Sequence, residues 1–355
     1  MSNDKTIRVA VIGAGAFGKN HARVYHDLQT AGSAVELVGI VDTDSARAGT
    51  LAAQFGTKAF STLNELLGAG GVDAASVAVP TTLHLPVAKA AMQAGLDVLI
   101  EKQIAATLAE ADELVRVAQE TGRIGQVGHL ERFNPVVRAT YPLITHPMFF
   151  EVHRLSVFGP RALDVDVVLD LMIHDLDIVL SFVDSPIREI RAVGLPILSP
   201  KVDIANVRIE FESGCVANLT ASRVSTERVR KLRFFQPRQY VSVDYTRQDL
   251  LVFSVSGQAG VEALARMQNA GGGPLSGAAI LAGAGVSMSK PQVIQEEPLK
   301  AELQSFLGVV RARTTPVVSL IEGRTALRVA LEVLQHIEEH SRRVGLAALG
   351  SAPGD

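Results

Sequence analysis

The chain reads as two domains of different class: an α/β domain with a doubly wound parallel sheet, then an α+β domain with a large open, mostly antiparallel sheet. Three observations predict this. Up to about residue 128, short apolar runs rich in β-branched residues alternate with helical patterns, as parallel strands with helices on both faces require. Beyond about 185, strand-like segments follow one another with no helical pattern between them, which suits an antiparallel sheet with one face uncovered. The 355 residues also exceed what one hydrophobic core usually serves. The expected division is 1–128, then 129–340, then a loose tail at 341–355. The last helices are left free to pack back on the first domain.

Ile7, Val9, Val11 and Ile12 make a strand buried on both faces. Gly13-Ala14-Gly15-Ala16-Phe17-Gly18 then fits G-x-G-x-x-G, and Lys19 to Leu28 continues at helical spacing. Gly13 permits the tight turn, Gly15 lets backbone approach a pyrophosphate, and Gly18 lets the helix press on the strand. Unpaired N–H groups and the positive end of the helix dipole, around Ala16 and Phe17, favour a diphosphate. Val35 to Val41 is a second strand ending in Asp42. A carboxylate there can accept both hydroxyls of an adenosine ribose and would repel a 2′-phosphate. Together these predict a dinucleotide site for NAD rather than NADP. Arg47 and Lys58 leave NADP open, although solvated surface charge accounts for both.

Further strands are expected at 58–60, 73–79 (stopped by Pro80), 97–100 and 124–127, with helices at 85–94, stopped by Gly95, and 107–120, ended by Gly122. Thr62 can cap the short helix TLNELLG. Cofactor contacts should come from loops at the carboxyl ends of the strands: Gly13–Gly18, Asp42–Asp44, Pro80–His84, Glu101–Gln103 and His129–Asn134. In the second half, a strand at 149–157 and a long helix at 167–183 precede strands at 187–198, 203–212, 215–223, 228–236, 239–245 and 249–255. Residues 257–290, centred on GGGPLSGAAILAGAGVSMS, are a glycine- and alanine-rich insertion or a mobile lid. Helices close the chain at 302–311 and 325–339.

A net charge of −3 gives no electrostatic reason to expect nucleic acid or an anionic membrane surface as partner. No apolar run is long enough to span a bilayer, and MSNDKTIRVAVIG lacks a signal peptide's pattern, so a cytoplasmic protein is expected. The single Cys215 excludes an intramolecular disulfide and any cysteine cage for a metal. Its strand-like neighbours predict a buried, inert thiol. An open sheet face often pairs with a copy of itself, which predicts a homodimer or homotetramer.

Three clusters could carry chemistry. Glu101-Lys102-Gln103 follows a buried strand, so Lys102 can point into the cofactor crevice and hydrogen-bond a substrate hydroxyl or its oxyanion; a surface salt bridge is the plainer alternative. In VVLDLMIHDLDIVLSF, Asp170, His174 and Asp177 recur at spacings of four and three and share one helical face. A carboxylate one turn from a histidine orients the ring and raises its basicity, as proton transfer requires. A core histidine with a solvated aspartate fits the same pattern, and too few ligands are at hand to expect a metal. In GHLERFNP, Arg132 suits a phosphate or carboxylate, while Asn134 can cap the next helix or contact a ligand.

With all three clusters present, the sequence resembles the glucose–fructose oxidoreductase/inositol dehydrogenase (Gfo/Idh/MocA) family of NAD(P)-dependent sugar oxidoreductases over nearly its whole length. The resemblance implies an N-terminal Rossmann domain, with Gly13, Gly15, Ala16, Phe17, Gly18 and Asp42 on the dinucleotide and Pro80, Thr81 and His84 along it. Glu101-Lys102 matches the family's Glu-Lys-Pro motif, with Gln103 where proline is usual. Asp170 and His174 match its Asp-x-x-x-His pair, which makes His174 the acid/base and Lys102 the group that stabilises charge. His129, Arg132, Asn134, Lys102, Asp170 and His174 would then face the substrate, a small sugar or sugar nucleotide. GHLERFNP and DVDVVLDLMIHDLDIVL are most similar to the branch that oxidises C3 of UDP-N-acetylglucosamine; a free polyol or inositol is the alternative, and a non-catalytic NAD-binding regulator a more distant one.

Overall fold

A computed structural model of the chain describes residues 5–159, 165–255 and 286–345. They form two compact units, one running to Phe133 and including Glu296–Arg328, the other covering Asn134–Gln295 and continuing from Val329. The first unit thus takes in a segment from beyond residue 295 as well as the alternating half.

In the first unit the strands are β1 (Ile7–Ile12), β2 (Val35–Val41), β3 (Lys58–Phe60), β4 (Ala74–Val77), β5 (Asp97–Glu101) and β6 (Gly125–Gly128). All pair in parallel, in the order β3-β2-β1-β4-β5-β6. The order reverses between β1 and β4, which opens a crevice at their carboxyl ends. Helices α1 (Ala16–Thr30), α2 (Ser45–Phe55), α3 (Leu63–Ala69), α4 (His84–Gln93) and α5 (Leu108–Thr121) connect them. Their ends follow local chemistry. Thr62 accepts from the Glu65 amide, Thr107 and Glu110 form a reciprocal capping box, and Gly56 and Gly122 close their helices in the left-handed conformation. The core joins Val9, Val11, Tyr25, Leu28 and Ile40 to Leu303, Phe306 and Val310 of α8 (Pro298–Ala312).

The second unit carries α6 (Pro135–Thr140), α7 (Ile173–Phe182) and an eight-stranded sheet. Its strands are β7 (Phe149–Val157), β8 (Ile187–Leu195), β9 (Ile204–Phe211), β10 (Val216–Ser225), β11 (Val229–Gln236), β12 (Gln239–Asp244), β13 (Asp249–Val255) and β14 (Val286–Ser289). The order is β14-β13-β12-β11-β7-β10-β9-β8, antiparallel except where β7 meets β10. Buried residues alternate along β9, where Ala205, Val207, Ile209 and Phe211 point inward, so one face is covered, as period two requires. Phe150 packs between Phe182 and Phe234. The long last helix, α9 (Leu320–Val344), has its residues to Arg328 in the first unit and the remainder in the second.

Two expectations are refined. The helix expected over 167–183 is a π-helical turn, Val168–Met172, running into α7. The end of the 257–290 segment is an edge strand, β14; residues 256–285, to which the lid and insertion readings apply, and 346–355 of the expected tail lie outside the described residues.

Candidate functional site

The glycine turn is built by exclusion. Gly13 has φ +101°, and a Cβ on it would stand 2.5 Å from the Ala78 carbonyl oxygen. A Cβ on Gly18 would overlap the Gly13 carbonyl, so Gly18 serves the packing of α1 on β1. Around Gly15, by contrast, a Cβ would meet nothing within 4 Å. That open approach at the start of α1 fits a diphosphate laid against backbone N–H groups. Asp42 braces the turn from the neighbouring strand: its Oδ2 accepts from the Ala14 amide at 2.7 Å and its Oδ1 from the Asp44 amide at 2.9 Å.

These groups line a cleft of about 680 Å³ at the carboxyl ends of the strands. Gly13, Gly15, Ala16, Phe17, Asp42, Pro80, Thr81, His84, Glu101 and Lys102 all lie on its wall. Of the residues singled out for the dinucleotide, Gly18 is not on this wall, and the His129–Asn134 loop, expected to contribute contacts, supplies none of the wall residues. Arg47 is on the wall too, its guanidinium 3.7 Å from Asp42. Leu63 and Val87 complete an apolar side that sequence reading missed. The position of Leu63, just past β3, was the available signal.

His84 ties two of the loops together. Its Nδ1 lies 2.9 Å from the Gln103 carbonyl oxygen and its Nε2 3.0 Å from that of Val79. Burial lowers its pKa, and the facing carbonyls only partly offset this, so the ring is neutral and donates to one of them. The Lys102–Gln103 peptide is cis. Glu101, one residue earlier, holds His21 Nε2 at 2.7 Å. Ligand atoms of His21, Glu101 and Glu302 lie within 4.8 Å of one another, but a 2.7 Å separation is that of a hydrogen bond.

GHLERFNP turns inward. His129 is buried, and burial, followed by the charges of Arg132 and Lys102, pushes its pKa down to about 3. The ring is neutral at physiological pH. Arg132 donates to the Val317 carbonyl at 3.1 Å and to Glu322 at 2.9 Å. Asn134 caps α6 through the Val136 amide and donates to the Tyr245 carbonyl at 3.1 Å. The structure therefore employs Arg132 and Asn134 in holding the fold; for Asn134 the helix cap was one of the two roles expected. The reason is burial: a guanidinium or amide shut away from water needs partners inside the protein.

In the second unit Asp170 lies on the π-turn and His174 on α7, both half-buried. Asp177, expected on their face, is buried. Sequence reading missed Asp175, which receives Arg154 of β7 through two bonds of 2.7 and 2.8 Å. Cys215 is buried, and burial pushes its thiol up to about 11, which makes it inert at neutral pH.

Known proteins are similar to this chain. Residues 7–129 match the profile of an oxidoreductase family with an NAD-binding Rossmann fold, and residues 114–236 match a GFO/IDH/MocA C-terminal domain. The UDP-N-acetylglucosamine 3-dehydrogenase of Acidithiobacillus ferrooxidans is 33% identical over 338 residues, 95% of this chain and 99% of that protein. Its solved structure has a TM-score of 0.82 and covers 94% of this chain and 98% of its own. An inositol 2-dehydrogenase of Acidothermus cellulolyticus is 32% identical over 201 residues, 54% of this chain and 58% of that protein. The myo-inositol 2-dehydrogenase structure from Lactobacillus plantarum, 20% identical over 95% of this chain and 98% of its own, shares the fold with a TM-score of 0.74. The chain belongs to the GFO/IDH/MocA family of NAD-binding oxidoreductases.

Proposed function

We propose that this protein oxidises the C3 hydroxyl of UDP-N-acetylglucosamine to the 3-keto sugar nucleotide. The likeness to a UDP-N-acetylglucosamine 3-dehydrogenase over nearly the full length of both chains carries this reading. NAD, when bound, supplies the hydride acceptor. The chain's own groups handle the proton and the charge. His174 removes the hydroxyl proton, Asp170 orients its ring, and Lys102 stabilises negative charge developing on the oxygen. A cytoplasmic homodimer or homotetramer belongs to the same reading: the sheet of the second unit has an uncovered face, and among the described residues no helix is long and apolar enough to cross a membrane.

A panel of hydroxyl donors, followed by NADH absorbance with NAD and NADP in parallel, tests the substrate. UDP-N-acetylglucosamine should give the highest kcat/KM. Silence with it and turnover of an inositol would transfer the assignment to the inositol dehydrogenases of the family. His174→Ala should lower kcat by at least about a hundredfold, the usual range for a general base, while the Kd for NAD changes less than about threefold. Undiminished turnover would end the assignment of His174.

A further inference from the structure

Three ionisable side chains from separate elements meet behind the cleft: His21 of α1, Glu101 at the end of β5 and Glu302 of α8. His21 and Glu302 are fully buried and Glu101 nearly so. Glu101 holds His21 Nε2 at 2.7 Å. The two carboxylate oxygens of Glu302, in contrast, have no hydrogen-bond partner among the described residues. On α1, Tyr25, one turn beyond His21, is raised by burial, so it is a neutral phenol and adds no charge. The Leu130–Phe133 turn packs on α8 and carries Glu131 and Arg132, the latter directed at Glu322.

Two carboxylates this close in a dry interior do not both ionise; one keeps its proton. Partners decide which. Glu101 has the imidazole hydrogen-bonded to it and a lysine next in the chain, whereas neither Glu302 oxygen has a hydrogen-bond partner among the described residues. We propose that Glu302 is a positioning residue that stays a neutral acid at physiological pH, leaving the array's single negative charge on Glu101, which stays fixed on His21 and holds Lys102 at the cleft. Burial, then the charge of Glu101, drives the Glu302 carboxyl well above its ordinary range, in agreement with the geometry. The effect on Lys102 rests on the proposed function; the protonation of Glu302 does not.

The test uses the full chain without substrate or NAD. Because the folded state holds the Glu302 proton more tightly than the unfolded chain, wild-type stability is complete below the ordinary carboxyl pKa and is lost as pH rises toward the folded value. Glu302→Gln, isosteric with the neutral acid, has no such dependence. The ratio of folding constants, variant over wild type, should grow by up to about tenfold per pH unit above about pH 5, read from urea midpoints. A ratio that stays flat from about pH 5 to 8 overturns the proposal. Should the variant fail to fold, the infrared spectrum of the wild type decides: a protonated-carboxyl carbonyl band at neutral pH is expected, and its absence refutes the assignment. A divalent cation at one per chain would also refute it, since both carboxylates would then be ionised. For the positioning role, the alkaline fall in kcat/KM should move to higher pH in Glu302→Gln, and coincident profiles would overturn that role. A wild type that turns over no sugar nucleotide would count against the proposed substrate alone, because stability and the infrared band are read without activity.

Discussion

Gly15 and Gly18 stand three residues apart in one turn, yet replacing each by alanine should fail in different ways. At Gly18 the new Cβ would sit 2.8 Å from the Gly13 carbonyl carbon, closer still to its oxygen, and 3.3 Å from Val11 Cγ1. Backbone cannot rotate aside as a long side chain can, so α1 must lift from β1. Overpacking of this kind costs about 3 kcal/mol or more, and Gly18→Ala should unfold early and lose NAD together. At Gly15 the backbone is already extended, with φ −70° and ψ −168°, and the added methyl meets nothing within 4 Å. Losing glycine at the helix N-cap costs about 0.5–1 kcal/mol. Restricting the unfolded chain returns about 0.4–1 kcal/mol. The two offset, so the melting temperature without cofactor should stay within a few degrees of wild type. The methyl nevertheless fills the approach that a diphosphate would use. The Kd for NAD, by calorimetric titration, should rise at least about tenfold, or 1.4 kcal/mol. Unchanged NAD affinity in Gly15→Ala would refute the placement of the diphosphate, whatever Gly18→Ala does.

Other perturbations follow from single contacts. Arg154 and Asp175 are each about 3% exposed and doubly bonded, so Asp175→Ala strands a buried guanidinium and should cost about 3–5 kcal/mol in urea unfolding; a loss below about 1 kcal/mol would show that water reaches the pair. Asp203 is buried, which pushes its pKa up, but the Ser199 hydroxyl and the amides of Ile197, Leu198 and Ser199 outweigh this and hold it at about 2. Its folded pKa is depressed, so its contribution of about 2 kcal/mol is present above the ordinary aspartate value and lost as pH falls from about 4 toward 2. Asp203→Asn should remove that part of the acid transition, and an unaltered acid transition would refute it. Asp42→Asn removes the charge that repels a 2′-phosphate while Arg47 stays 54% exposed beside it. The NADP-to-NAD ratio of Kd values should fall about tenfold; an unchanged ratio would mean that Asp42 does not read the ribose.

The parallel sheet was legible because its strands are short apolar runs and its helices carry their own start and stop signals: Thr62, Thr107 and Gly122 each act within four residues of where they stand. The cofactor cleft was legible for the same reason, since strand ends and glycine turns are local. Arg132 and Asn134 show what sequence leaves open. Their chemistry suits a ligand, but whether it is spent on one depends on Glu322, Val317 and Tyr245, more than a hundred residues away. Asp175 and Asp177 were equally ambiguous. Four consecutive turns of VVLDLMIHDLDIVLSF offer acids on several faces, and only the position of Arg154 on β7 decides which one is buried as an ion pair. The π-turn at Val168–Met172 shifts the face again, and periodicity of 3.6 has no means of announcing it. His21 and Glu302, 281 positions apart, leave no pattern at all.

The side chains around the cleft share a further property. Asp42 spends both carboxylate oxygens on the Ala14 and Asp44 amides, His84 faces the carbonyls of Gln103 and Val79, and Glu101 holds His21. Each both lines the cleft and fastens one loop to another, so the loops are set before any ligand arrives. Preorganisation of this kind reduces the ordering that binding must impose. It also means that deleting Asp42, His84 or Glu101 perturbs the scaffold and the ligand contact at once, and a loss of affinity there does not by itself identify a contact. Gly15 is different because its missing side chain touches no part of the scaffold. A change confined to NAD binding at that position reports on the cofactor alone.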